Sequence, residues 1–98
     1  MSPPMVVYAP DLLDRSRIAA AVPDAVFVRR VEDLLTTPAR VVVVDLGRPG
    51  VLDIVPQLDV PVIGFGSHVD DALLAAATDA GCAEVLPRSR FFRRVREL

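Results

Sequence analysis

The sequence predicts an α/β domain in which a five-stranded parallel sheet carries helices on both faces. Three observations lead there. Short apolar runs, "MVVYA", "AVFV", "RVVVVDL", "PVIGF" and "AEVLP", recur along the chain. Segments with helical spacing separate them, giving the order βαβαβαβαβα. The run "RVVVVDL" is continuous rather than alternating, as in a strand buried on both faces of a parallel sheet. Connections this short between parallel strands cross over right-handedly and lay their helices against the sheet.

Each element has its own justification. "MVVYA" (5–9) is a buried strand ended by Pro10. "DLLDRSRIAAAV" (11–22) is a helix with Leu12, Leu13, Ile18 and Ala19–Ala21 on its apolar stripe and Asp11 and Asp14 in its first turn, where acids suit the helix dipole. Pro23 ends it. "AVFV" (25–28) is the second strand, and "VEDLL" (31–35) a short helix closed by "TTP". "RVVVVDL" (40–46) is the central strand. "PGVLDIVPQL" (49–58) holds barely two helical turns, because Pro56 interrupts it. "PVIGF" (61–65) is the fourth strand. "HVDDALLAAATDAG" (68–81) places Val69, Leu73, Ala76, Ala77 and Ala80 on one face, with Gly81 as its stop. "AEVLP" (83–87) is the fifth strand. "RSRFFRRVREL" (88–98) is a helix with Phe91, Phe92, Val95 and Leu98 on one side and arginines on the other.

Ninety-eight residues with 52% apolar and 5% aromatic content make one domain with an aliphatic core. The composition excludes disorder. No apolar run approaches the roughly 20 residues of a membrane span, and the N-terminus lacks the pattern of a secretory signal. Cys82 stands alone, so neither an internal disulfide nor a cysteine-based zinc site is available. A soluble, cytoplasmic protein is expected. The net charge of −2 is unevenly spread: all 11 basic residues are Arg, and five of them, against Glu97, give residues 88–98 a charge of +4. Residues 1–87 carry six Arg and twelve acids, hence −6. An acidic body with a basic end suggests contact with something acidic, including a second copy of the chain.

"VVVVDLGRPG" (41–50) resembles the third strand, phosphoacceptor Asp and following loop of the receiver domains of bacterial response regulators, with Asp45 and a Pro four residues on. "VPVIGFGS" resembles their fourth strand, and "DAGCAEVLPRSRF" their fifth strand and last helix. The resemblance covers nearly the whole chain, faintest at its start, and implies a single receiver-like domain over residues 1–98 with a flavodoxin-like, three-layer fold and strand order 2-1-3-4-5. The departures bear on activity. The acidic pair that ends a receiver's first strand and holds Mg²⁺ is here Ala9-Pro10-Asp11. The Thr or Ser slot falls on Gly66, one before Ser67, and the Lys-Pro of the fifth strand is Arg88-Ser89. The chain is also shorter than a full receiver, with the loss before the fourth strand, in the second helix or the third.

Ligands of such folds bind outside the carboxyl ends of the strands. Asp11, Asp45, Ser67, His68 and Arg88 stand there. Asp45 is the candidate phosphoacceptor, a carboxylate that would form an acyl phosphate, or else a strand-end acid that bonds the N–H groups of the "RPG" turn. Asp11 and Asp45 are the candidate Mg²⁺ ligands, and no other cofactor is expected. Ser67 and Asp70 form an S-x-x-D pattern that predicts a helix cap at Ser67, while the glycine-flanked turn also suits an anion. Ser67 and His68 diverge too much for a hydrolytic pair. Arg88 could form a permanent ion pair with Asp45 and lock the rim.

The expectation is a stand-alone, receiver-like domain that acts by protein contact without turning over substrate. Arg90, Arg93 and Arg94 would meet Asp70 and Asp71 across the two-fold axis of a homodimer. No nucleic-acid or membrane contact is expected. The alternatives are a phosphoacceptor receiver using Asp45, and a small-anion or nucleotide binder at Asp11, Ser67, His68 and Arg88.

Overall fold

In the computed structural model, which describes residues 2–98, five strands hydrogen-bond in parallel in the order β2-β1-β3-β4-β5. They are β1 (Met5–Tyr8), β2 (Val26–Phe27), β3 (Val41–Asp45), β4 (Val62–Gly66) and β5 (Glu84–Pro87). β3 lies at the centre, with Val42, Val43 and Val44 almost wholly buried. β-Branched side chains suit that position because they pack on a pleated surface at little further loss of freedom.

Alternation along the strands divides the core in two. Met5, Val7, Val43, Ile63, Phe65 and Leu86 point to one face, where they pack on Ile18 and Val22 from the first helix and on Phe91 and Val95 from the last. Val6, Val42, Val44 and Val62 point to the other, against Leu34, Val51, Val55, Ala77 and Cys82. Thus α1 (Leu12–Ala21) and α4 (Arg88–Arg94, extended by a 3-10 turn Val95–Glu97) cover one face. A 3-10 helix (Val31–Leu35), α2 (Val51–Ile54 with a 3-10 turn Val55–Gln57) and α3 (Asp71–Ala80) cover the other. Both segments in which the shortening could fall are brief: the first is entirely 3-10, and Pro56 lies in the tightened end of the second.

Two expectations about helix faces are corrected. The stripe assigned to α1 included Leu12 and Leu13, but these are 76% and 75% exposed. At 100° per residue, a helix that buries Ile18 and partly buries Ala21 also turns position 14 inward and positions 12 and 13 outward. Asp14 therefore occupies the buried place, with no exposure at all. In α3, Ala77 is buried and Leu73 and Ala80 partly so, while Ala76 faces solvent. The helix also begins three residues later than expected, because its cap is Asp70, whose side chain accepts from the Leu73 N–H at 2.8 Å. Ser67 lies outside the helix.

One glycine is set by close approach. A Cβ on Gly64 would lie 2.7–2.9 Å from three side-chain carbons of Leu46. The space beside β4 is thus filled by the residue that follows β3, which draws the two strand ends together at the rim.

Among the described residues, no helix is long and apolar enough to cross a membrane.

Candidate functional site

The rim at the carboxyl ends of the strands brings together loops that are far apart in sequence. β1 leads through Ala9 and Pro10 to Asp11, β3 ends in Asp45, β4 runs into Ser67 and His68, and β5 runs into Arg88. The helices that start at this edge point their N-termini toward it, as the parallel topology requires.

Asp45 is committed to its own loop. One carboxylate oxygen accepts from the Gly47 N–H at 2.9 Å, and the other faces the Arg48 Nε at 3.5 Å. The Arg48 N–H donates to the Asp45 carbonyl at 3.2 Å, closing the turn. This is the turn-bonding role, with Gly47 as the donor. Asp11 is the cap of α1 and accepts from the Asp14 N–H at 3.0 Å. It thereby satisfies one of the free donors at the helix start.

Arg88 does not pair with Asp45. Its two terminal nitrogens donate to the two carboxylate oxygens of Asp14, one at 2.8 Å and the other in a shorter contact. The expected Asp45–Arg88 lock is therefore replaced by an Asp14–Arg88 pair. The reason is geometric: α1 turns Asp14 inward beneath the start of α4, and the guanidinium fork matches both of its oxygens. Hydrogen bonding to Asp14 pushes the Arg88 pKa up further. Partial burial opposes this, and the charges of Asp14, Asp45 and Asp11 add to it. Arg88 is thus the cation on which three acids of the rim act.

Aromatic rings back this arrangement. Phe65 and Phe91 stack with centroids 4.5 Å apart and planes 9° from parallel, and Phe92 meets both edge-on. The Arg17 guanidinium lies 3.8 Å from the Phe92 centroid, and Arg88 lies 5.5 Å from it. Such contacts contribute roughly 0.5–1.5 kcal/mol each and fix α4 against both α1 and β4.

Ser67 and His68 are exposed on the β4–α3 loop. Among the described residues, no group of three His, Cys, Asp or Glu side chains is placed to hold a metal ion. At the expected partner surface, Arg90, Arg93, Asp70 and Asp71 are exposed. Arg94 instead turns to Glu84 of β5, pairing with both carboxylate oxygens.

No protein-family model matches the chain, and no curated protein matches it in sequence. Solved structures do match. A response regulator from Thermotoga maritima superposes with a TM-score of 0.80 at 15% identity, over 99% of this chain and 97% of that one. The beryllofluoride-activated DrrB receiver domain gives 0.81 at 18% identity, over 99% and 97%. The fold is that of a receiver domain. The activated NtrC4 receiver domain dimer matches as well, at 0.75 and 15% identity over 95% of this chain and 93% of that one. Superposition over nearly the full length of these receivers bears out the strand order 2-1-3-4-5 and the shortened receiver fold.

Sequence reasoning missed Asp14 as the partner of Arg88. Its signal was present: Asp14 and Ile18 are four apart, so the turn that buries one buries the other. An acid on that stripe requires a cation within reach, and Arg88 is the first residue after β5.

Proposed function

We propose that this receiver-like domain is a regulatory module that acts by protein contact and does not carry a phosphoryl group. The observation that carries the reading is the engagement of Arg88. A receiver cation that answers a phosphoryl group must be free to approach it. Here both terminal nitrogens of Arg88 are bonded to Asp14. Drawing Arg88 toward Asp45 would leave a wholly buried carboxylate unpaired, a change that costs several kcal/mol. Ala9 and Pro10 also stand where a receiver has its acidic pair, so Mg²⁺ would have only Asp11 and Asp45 as charged ligands. The test is incubation with Mg²⁺ and a small phosphodonor, followed by intact mass. The expected spectrum is unchanged; a species heavier by one phosphoryl group overturns the reading in favour of a phosphoacceptor Asp45.

The partner proposed is a second copy. α4 exposes Arg90 and Arg93, and α3 with its cap exposes Asp70 and Asp71, so each copy carries both halves of a charge match. The smallest such assembly is a homodimer. Light scattering at tens of micromolar checks it, and a strictly monomeric chain contradicts it. Binding of a small anion at Ser67, His68 and Arg88 is the remaining alternative, and backbone amide shifts that stay fixed in millimolar phosphate remove it.

A further inference from the structure

The sheet separates two unlike surfaces. On one side, α1 and α4 with its tail carry Arg15, Arg17, Arg88, Arg90, Arg93, Arg94 and Arg96 against Asp14 and Glu97, and Asp14 is buried. On the other, the 3-10 helix, α2 and α3 carry Glu32, Asp33, Asp53, Asp71 and Asp79, with no arginine in any of them. Each side also exposes apolar side chains. Leu12 and Leu13 project from the basic side, at 76% and 75% exposure. On the acidic side α3 exposes Leu74, at 44%, with Ala72, Ala75 and Ala76 beside it, between Asp71 and Asp79.

We infer that the second copy docks front to back: Leu12 and Leu13 of one chain seat on the alanine strip and Leu74 of α3 in the next. This rests on the reading that the chain self-associates and adds how it does so. Large side chains on small ones let two helices approach closely. The basic face that bears the two leucines then meets the face on which α3 carries Asp71 and Asp79, so the apolar contact and the charge match coincide. Two leucines held in water lose that exposure on docking.

The geometry has a consequence that a charge match alone lacks. A two-fold contact needs both partner patches on one continuous surface of each chain. α3 and α4 both pack against the edge strand β5, around which one surface can run, whereas α1 and α3 lie on opposite faces of the sheet; the contact that α1 and α3 make is therefore heterologous. Each copy offers α1 to one neighbour and α3 to another, and growth does not stop at two unless the rotation closes a ring.

Sedimentation of the full chain over a range of concentrations at ~0.1 M salt, where the Debye length is ~10 Å, tests this. The expected weight-average mass passes that of two copies and keeps rising. Leu12→Asp/Leu13→Asp, or Leu74→Arg, is expected to hold the chain as a monomer, since each removes one of the two docking surfaces. All three positions are exposed, and an unchanged urea midpoint confirms that the variants fold. Mixed in equal amounts, the two variants are expected to form a dimer and nothing larger, because only one contact remains between them. A wild-type mass that levels at two copies, with both variants dimerising as before, overturns the inference and leaves self-association standing. A monomer at every concentration overturns both.

Discussion

A carboxylate at zero exposure persists only where its charge is compensated, and Asp14 has Arg88 on both oxygens. A single change therefore differs from a double one. Arg88→Met leaves Asp14 buried and unpaired and is expected to cost about 3–5 kcal/mol, whereas Asp14→Leu with Arg88→Met is expected to recover most of that loss. Urea unfolding of the two variants decides it, and an Arg88→Met protein as stable as wild type contradicts the pairing. Cys82 is a second buried group with a readable consequence. Burial pushes its thiol pKa up, so its thiolate is scarce at neutral pH and the group behaves as a small apolar residue of the core. The raised folded value means that this contribution to stability is whole below the unfolded thiol pKa, about 8.5, and is lost as pH rises through the folded value. A disulfide-exchange reagent at mildly alkaline pH is expected to modify Cys82 rapidly in urea and slowly in buffer; equal rates contradict its burial.

At the scale of elements, the strands were legible because a buried strand needs only a short, continuous run of apolar residues. Val41–Val44 could be little else, and Tyr8, Asp45, Gly66 and Pro87 close their strands within a residue or so of expectation. Helices were less legible because their faces depend on phase. Leu12 and Leu13 are two of the three large apolar residues of α1, yet Ile18 and Asp14 set its rotation, since Asp14 turned inward meets Arg88 from the far end of the chain. The same holds at α3. Ser67 and Asp70 both suit a cap, and the choice falls on Asp70 because β4 continues through Gly66 and leaves the intervening residues as a loop. Asp70→Ala is thus expected to destabilise the fold by about 1 kcal/mol and Ser67→Ala by less than about 0.5 kcal/mol. Thermal or urea unfolding separates the two, and a larger loss at Ser67 contradicts the assignment. Gly64→Ala, which drives a methyl group into Leu46, is expected to cost about 1–3 kcal/mol as an overpacked core site.

Over the whole molecule, the net charge of −2 conceals a separation of sign across the sheet. The sequence showed it as a basic end and an acidic body. Only the topology reveals that the basic end shares its face with α1, where the Arg17 guanidinium lies over Phe92 of the last helix. Such an arrangement favours like-oriented association, basic face to acidic face, and opposes basic against basic. It also fixes the response to salt. The apolar part of the contact does not weaken with ionic strength, whereas exposed ion pairs do. Raising the salt from ~0.1 M to ~1 M shortens the Debye length from ~10 Å to ~3 Å, and self-association is expected to weaken by about tenfold or more. Sedimentation at the two salt concentrations measures it. Association that holds or tightens in the higher salt means that the leucines and alanines carry the contact alone, and that the charge separation across the sheet plays no part in choosing the partner face.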